Sequence, residues 1–191
     1  MKRIVILASG SGSNAENIIS FFKDDSRVHV SAVLTNKKNA AVLERCERLK
    51  VPAFYFNRTA FSDSDGVIQL LTSLNPDLIV LAGFLWKIPT SLLNVFPNNI
   101  INIHPALLPK YGGKGMYGSK VHQSVKDNAD SETGITIHYV NQNYDEGAII
   151  FQAKTKVAPS DDANSIAEKV HQLEYEHFPK VIEKLLLKDG D

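Results

Sequence analysis

The run of apolar residues from Arg3 to Ala8 constrains the fold more than any other feature of the chain. It is continuous rather than alternating and rich in β-branched side chains, which is typical of a central parallel strand buried on both faces. A turn with glycines at positions 10 and 12 follows at once, and then a helical pattern with Ile18, Ile19 and Phe22 on one side. A strand, a glycine-rich turn and a helix in this order predict the first unit of an α/β fold.

The glycine-rich turn has the features of an anion site. Free backbone N–H groups and the positive end of a helix dipole meet there, and Ser13 or Asn14 can cap the helix or donate to a ligand. The stretch Gly10–Ala15 also matches the dinucleotide fingerprint G-x-G-x-x-A, which needs an acidic residue after the second strand. That strand, His29–Leu34, ends instead in Thr-Asn-Lys-Lys. We therefore predict a phosphate monoester site, with a merely structural turn as the alternative.

The rest of the chain continues to alternate between strand and helix patterns. We predict further strands at Pro52–Phe56, Leu78–Ala82, Ile100–His104, Thr133–Val140 and Gly147–Lys156. Helices are predicted at Asn39–Lys50, Ser64–Leu74, Thr90–Phe96, Ser119–Asp127 and Ala163–Lys188, the last interrupted at His177-Phe178-Pro179. This order predicts a single-domain, Rossmann-like doubly wound α/β fold over residues 1–191. Its sheet is mostly parallel, with a C-terminal antiparallel strand pair and a final long helix.

Composition excludes several classes of protein. The 191 residues carry 21 basic and 21 acidic side chains, so no overall field attracts nucleic acid or an anionic membrane. The single cysteine, Cys46, can form neither an internal disulfide nor a cysteine-rich metal site, which favours the cytoplasm. No segment approaches the roughly 20 apolar residues of a membrane span, and the short apolar run after Met1 is not typical of a signal peptide.

The stretch Asn102–Pro109 is the best candidate for chemistry. Two polar side chains, Asn102 and His104, interrupt the apolar strand Ile100–His104, and Pro105 and Pro109 prevent the strand from continuing. The strand therefore delivers both polar groups to the edge of the sheet. The alternative is a buried pair with satisfied hydrogen bonds.

Two nearby segments are also candidates for a site. Phe84, Leu85 and Trp86 follow the fourth strand at its carboxyl end, where parallel sheets bind ligands, although such a cluster can equally belong to the core. The glycine-rich segment Tyr111–Gly118 is expected to be a mobile flap, with a plain connection as the alternative. His122, on the following helix, is expected to face solvent, with an approach to the site as the alternative.

Four motifs together resemble the folate-dependent formyltransferases, and within them the phosphoribosylglycinamide formyltransferase family. They are Gly12-Ser13-Asn14, Leu81-Ala82-Gly83-Phe84, Asn102-Ile103-His104-Pro105 with Leu107-Leu108-Pro109, and Asp145-Glu146-Gly147. The resemblance covers essentially the whole chain in order. It implies transfer of a formyl group from 10-formyltetrahydrofolate, a cosubstrate, to the amine of glycinamide ribonucleotide (GAR), giving formyl-GAR in purine biosynthesis without a metal.

The same resemblance assigns the site residues. The catalytic residues would be Asn102, His104 and Asp145, with Asn102 and a cationic His104 stabilising the oxyanion and Asp145 supporting the charge and the proton transfer. The nucleotide substrate would be bound by Gly12, Ser13, Asn14, Leu85, Pro105 and Glu174. The folate would be bound by Phe84, Trp86, Lys87, Ile88, Leu93, Ile100 and Val140. The N-terminal half would thus carry the phosphate site, and the C-terminal half the folate and catalytic sites.

The chain departs from the family at two arginines. Many members have Met-Arg after Gly-Phe, where this chain has Leu85-Trp86-Lys87, and Ser64-Asp65 stands where a second arginine is common. Lys87 is the candidate replacement for the first.

Three other functions compete with this interpretation. A methionyl-tRNA formyltransferase carries a second, nucleic-acid-binding domain, and a 10-formyltetrahydrofolate hydrolase usually carries an N-terminal regulatory domain. A non-catalytic phosphate-binding domain would have no need of Asn102, His104 and Asp145. We expect small-molecule substrates only, with no nucleic acid or membrane partner, and a monomer or homodimer.

Overall fold

A computed structural model of the chain describes residues 1–63 and 65–187. Its strands are β1 Lys2–Ala8, β2 Val28–Thr35, β3 Ala53–Tyr55, β4 Leu78–Leu81, β5 Ile100–His104, β6 Glu132–Tyr139 and β7 Ile149–Lys156. Its α-helices are α1 Ser13–Phe21, α2 Val42–Leu49, α3 Gly66–Leu74, α4 Thr90–Val95, α5 Ser119–Asp127 and α6 Ala163–Leu186. These elements confirm the predicted order. Ser64 and Lys188, at the ends of two predicted helices, lie outside the described residues.

The strands form one sheet in the order β3-β2-β1-β4-β5-β6-β7. The first five strands pair in parallel, and β6 and β7 pair antiparallel, as the sequence predicted. The order reverses between β1 and β4, so the chain leaves these neighbouring strands in opposite directions. In open parallel sheets the crevice beyond such a reversal is where ligands bind.

Strand β1 explains why the first apolar run is continuous. Its side chains alternate between the two faces of the sheet, and both faces are covered. Ile4, Ile6 and Ala8 pack with α1, α2, α5 and α6, while Val5 and Leu7 pack with α3 and α4 on the other face. All five are fully buried, and burying each Ile, Val or Leu contributes roughly 1.5–3 kcal/mol. None of the helices among the described residues is long and apolar enough to cross a bilayer.

Two local features differ from the prediction. Helix α6 runs through Pro179 without the predicted interruption. Proline removes the hydrogen bond to the carbonyl four residues earlier, and here the Asn17 amide donates to that carbonyl, on Tyr175, at 3.0 Å. Phe178 is fully buried beside the proline, so packing stabilises this part of the helix. The sequence also gave no signal for the short π-helical turn at Thr59–Asp63.

Candidate active site

A cavity of about 610 Å³ opens at the carboxyl ends of β1, β4 and β5. The loops after β1 and β4 are joined there, because Ser9 N–H donates to the Gly83 carbonyl and Leu85 N–H donates to Ser9 Oγ. The cavity is lined by residues from both halves of the chain, including most of those assigned from the sequence: Gly12, Ser13, Asn14, Phe84, Leu85, Asn102, His104, Pro105, Asp145 and Glu174.

The start of α1 forms one end of this cavity. Gly12 lies just before the helix with φ of 74°, a left-handed conformation that glycine adopts without strain. A Cβ at this position would lie 2.3 Å from Val42 Cγ2, so the first turn of α1 packs closely on α2. Neither Ser13 nor Asn14 caps the helix, contrary to one of the two roles expected of them. Among the described residues no side chain caps this helix N-terminus by a hydrogen bond, so its backbone N–H groups are available to a ligand in the cavity.

Helix α6 brings a buried acid to the same end of the cavity. Asn14 Nδ2 donates to Glu174 Oε2 at 2.8 Å, across 160 residues of sequence. The Glu174 side chain is buried, and this burial raises its pKa, although Asn14 and His171 favour the charged form. Asn14 Oδ1 is itself buried without a hydrogen-bond partner. These polar groups are suited to receive hydroxyl groups of a ligand.

Strand β5 places Asn102 and His104 at the centre of the cavity, two residues apart on one face. Asn102 is opposite His138 in the antiparallel register with β6. His138 Nδ1 donates to the Tyr139 carbonyl at 2.9 Å. In the charged ring its Nε2 donates toward Asp145, whereas in the neutral ring the same nitrogen accepts from Asn102 Nδ2 at 3.1 Å. This contact orients the Asn102 amide and leaves its second hydrogen for another acceptor.

His104 lies between a carbonyl and a carboxylate. Its Nε2 donates to the Tyr111 carbonyl at 2.7 Å, and its Nδ1 lies 3.6 Å from Asp145 Oδ2. Asp145 also accepts from Gly113 N–H at 3.0 Å, and its other oxygen lies 3.7 Å from His138 Nε2. The nitrogen of His104 that is free to exchange a proton is therefore Nδ1, on the side of the acid.

The two side chains have opposite charge preferences in this environment. Burial lowers the pKa of His104, and Asp145 and the Tyr111 carbonyl offset only part of that effect. Burial raises the pKa of Asp145, but His138, His104 and Gly113 N–H together bring it below its usual range. At neutral pH the protein therefore holds a carboxylate beside a mostly neutral imidazole. The cationic His104 expected from the sequence is disfavoured by this burial before a substrate proton reaches the ring.

The residues assigned to folate form a different kind of surface. Phe84, Trp86, Ile88, Leu93, Ile100 and Val140 belong to one apolar cluster, which also contains Phe56 and Phe61. Of the assigned set only Phe84 lines the cavity, and Ile88 and Ile100 are buried core residues. Lys87 lies outside the cluster, with Nζ 6.0 Å from the ring centre of Tyr144. The Arg58 guanidinium, which the sequence analysis did not single out, lies 4.8 Å from the ring centre of Trp86.

His122 differs most from its expected position. It was expected to face solvent, but it is only 3% exposed and lines the cavity. Its ring centre lies 6.3 Å from that of His171, and its Nδ1 has no hydrogen-bond partner. Burial, together with His171 and His104, lowers its pKa to about 4. The apolar positions Val121 and Val125 put this face of α5 inward, which the helical spacing of the sequence could have shown.

Sequence reasoning also missed His138. The available signal was its position in β6, since Thr136 and His138 alternate with the apolar Ile135 and Ile137 and are themselves buried polar side chains. Among residues 1–63 and 65–187, no group of three or more His, Cys, Asp or Glu side chains is arranged to hold a metal ion.

Comparison with known proteins gives a consistent result. The family model for formyl transferases matches residues 2–182. The phosphoribosylglycinamide formyltransferase of Haemophilus influenzae is 36% identical over 100% of this chain and 92% of its own length. The chloroplastic phosphoribosylglycinamide formyltransferase of Arabidopsis thaliana is also 36% identical, and the chain spans 64% of its length. The crystal structure of phosphoribosylglycinamide formyltransferase from Streptococcus pneumoniae superposes with a TM-score of 0.87 at 30% identity, covering 98% of this chain and 100% of that one.

Proposed function

Because the chain belongs to the formyl transferase family, we propose that it transfers the formyl group of 10-formyltetrahydrofolate to the amine of GAR. The product is formyl-GAR, an intermediate of purine biosynthesis. Relatives named for this activity, with most of their length matched, support this acceptor over the others.

The observation that carries the proposal is the convergence of Asn102, His104 and Asp145 in the cavity that also contains the Gly12 loop. A phosphate-binding domain has no need of a carboxylate and an imidazole beside an amide donor. Acyl transfer needs all three, because negative charge develops on the carbonyl oxygen while a proton moves from the amine to the leaving nitrogen.

His104 and Asp145 would move the proton. When the amine attacks the formyl carbon, a new C–N bond forms and the amine nitrogen becomes acidic. Neutral His104 accepts that proton at Nδ1, and the Asp145 carboxylate stabilises the resulting imidazolium. His104 then returns the proton to the leaving folate nitrogen as the old C–N bond breaks with its electron pair. The histidine and the acid end the cycle as they began.

Asn102 would stabilise the oxyanion of the tetrahedral intermediate. One of its amide hydrogens is directed to His138 Nε2, and the second is free for the substrate oxygen. Such a donor typically contributes about 3 kcal/mol to the transition state. The imidazolium of His104 adds positive charge to the same region only during the transfer.

The two substrates would enter from opposite ends of the cavity. The backbone at Gly12, Ser13 and Asn14 would bind the phosphate, Glu174 the ribose hydroxyls, and Leu85 and Pro105 the nucleotide. Folate would lie against Phe84, which lines the cavity. The other assigned members of the apolar cluster do not line it, so folate would contact them only after local opening of the site. Arg58, over the Trp86 ring, and Lys87, near the Tyr144 ring, would supply positive charge for the folate carboxylates.

Localisation, oligomeric state and domain organisation are part of the same proposal. The free, buried thiol of Cys46 suits the cytoplasm. We propose a monomer or a homodimer. We propose that residues 1–191 act as one domain whose N-terminal half binds the phosphate and whose C-terminal half carries the folate and catalytic residues. Glu174 is the exception, since it reaches the phosphate end from α6.

A steady-state assay tests the function. Deformylated folate is monitored by absorbance after 10-formyltetrahydrofolate is added with and without GAR. We expect release only when GAR is present. Release without GAR would indicate a hydrolase, and the absence of release in both cases would direct the test to other amine acceptors and to a binding role.

A further inference from the structure

The turn from Tyr111 to Gly113 contacts both members of the His104–Asp145 pair. The Tyr111 carbonyl accepts from His104 Nε2 at 2.7 Å. Gly113 N–H donates to Asp145 Oδ2 at 3.0 Å. A Cβ on Gly112 would lie 3.4 Å from Asp145 Cβ, so the backbone between them packs directly on the acid. A displacement of this turn would therefore change both contacts at once.

The turn does not hold this shape through its own backbone. Tyr111 has φ of 57°, a left-handed conformation that is uncommon for a residue with a Cβ. The backbone bond from Gly112 N–H to the Pro109 carbonyl is long, at 3.4 Å. A conformation of this kind persists only when the surroundings fix it.

The surroundings that fix it are polar side chains at the end of α5. Tyr111 Oη donates to Asp130 Oδ2 at 2.7 Å and accepts from Asn128 Nδ2 at 3.0 Å. Lys110 Nζ donates to both oxygens of Asp130, at 2.6 and 2.7 Å. Asn128 is held in turn by the Ser124 carbonyl at 2.9 Å. We call Lys110, Tyr111, Asn128 and Asp130 the tyrosine clamp.

We propose that the tyrosine clamp positions His104 and Asp145 for proton transfer, with Tyr111, Asn128 and Asp130 as positioning residues. By fixing the Tyr111 carbonyl, the clamp keeps the His104 proton on Nε2 and leaves Nδ1 facing the acid and the substrate. The inference rests on the proposed role of His104. It extends the site to residues that touch neither substrate.

A purely structural role would predict a different response. Contacts of Lys110 and Asp130 near the surface contribute little to folding when they act only as an ion pair. Removing the tyrosine hydroxyl would then leave turnover unchanged. A positioning role predicts the reverse, because small displacements of a catalytic group strongly reduce the rate.

The test uses Tyr111→Phe, which removes one hydroxyl, and Asp130→Asn, which weakens the same bond from the other side. Asp161→Asn is the matched control, because Asp161 also pairs with a lysine, Lys169, and is similarly shielded, with 12% of its side chain exposed against 16% for Asp130. For each protein we measure kcat, both KM values, the melting temperature and the ¹⁵N shifts of the His104 ring. The His104 signals are assigned from their loss in His104→Gln.

We expect kcat to fall roughly 10- to 100-fold in both clamp variants, with both KM values within about twofold of the wild type. The His104 ring shifts should change from a single Nε2–H form to a mixture of tautomers. The melting temperature should stay close to that of Asp161→Asn, which should keep wild-type kcat.

Wild-type kcat in the clamp variants would overturn the proposal, and so would an unchanged His104 tautomer. The ring shifts separate this result from a failure of the proposed function. If His104→Gln itself retains activity, the catalytic assignment is wrong, whereas the spectra still decide whether the clamp orients the ring.

Discussion

At the scale of single residues, the charges at His104 and Asp145 determine what the site can do. The neutral imidazole of His104 carries its proton on Nε2, and its Nδ1 faces the carboxylate of Asp145. Nδ1 can therefore accept a proton from the substrate. The sequence placed these two residues together only through the resemblance. It could not predict their charge states, because those depend on burial and on the carbonyl of Tyr111.

Asp145→Asn tests the acid directly. The amide keeps the shape of the side chain but cannot stabilise an imidazolium, so we expect kcat to fall by roughly 10²- to 10⁴-fold. The fold, followed by circular dichroism, and binding of GAR, followed by calorimetry, should remain near wild type. Asp161→Asn again provides the control, and near wild-type turnover in Asp145→Asn would show that the acid has no part in the transfer.

His122 makes the stability of the protein sensitive to acid. Its pKa in the folded protein is about 4, against an ordinary value of 6.5, so the unfolded chain takes up a proton first as the pH falls. Stability is therefore fully present above pH 6.5 and is lost progressively down to pH 4. At pH 5 the loss from this residue is about 2 kcal/mol.

His122→Gln should remove that loss. In urea unfolding at pH 7.5 and pH 5, we expect the variant to lose about 2 kcal/mol less than the wild type between the two values. His29→Gln, at an exposed histidine, should behave like the wild type. Equal losses in wild type and His122→Gln would mean that the ring is not shielded from water as the structure indicates.

At the scale of elements, the junction between β1 and α1 fixes the proposed phosphate site. The sequence predicted the strand, the turn and the helix correctly, since they follow from local pattern. It could not show that Gly12 also permits α1 and α2 to approach each other, because this depends on Val42, thirty residues away along the chain.

Gly12→Ala and Gly10→Ala distinguish these two requirements. Adding a Cβ at Gly12 creates a clash with Val42 and strain at positive φ, so the free energy of unfolding should fall by roughly 1–3 kcal/mol. A Cβ at Gly10 meets no atom within 4 Å, so its variant should unfold like the wild type. Both are measured by urea unfolding, and equal stabilities would show that the two helices can separate at no cost.

At the scale of the whole molecule, the sheet order makes the middle of the protein its most stable part. Strands β1 and β4 have a paired neighbour on each side and apolar layers on both faces, whereas β7 lies at an edge and alternates in exposure. Continuous apolar runs identified the central strands from the sequence alone. The path of α6 was mispredicted at Pro179, because the Asn17 contact that tolerates it comes from the other end of the chain.

Amide hydrogen exchange, followed by mass spectrometry, should reflect this arrangement. We expect peptides covering β1 and β4 to exchange slowest and those covering β7 to exchange faster, with residues 114–118, beyond the clamped turn, fastest of the three. Protection of 114–118 equal to that of β1 would argue against the mobile flap predicted at Tyr111–Gly118.

The hydrogen bond between Asn14 and Glu174 also has a consequence for biosynthesis of the protein. The two residues are 160 positions apart, so the ribosome adds 160 residues between the first and the second. Strand β1, the glycine turn and α1 are therefore synthesised before α6 has left the exit tunnel. In our proposal the ribose partner of the phosphate loop is missing until α6 has been made, so full affinity for GAR requires the synthesis of α6.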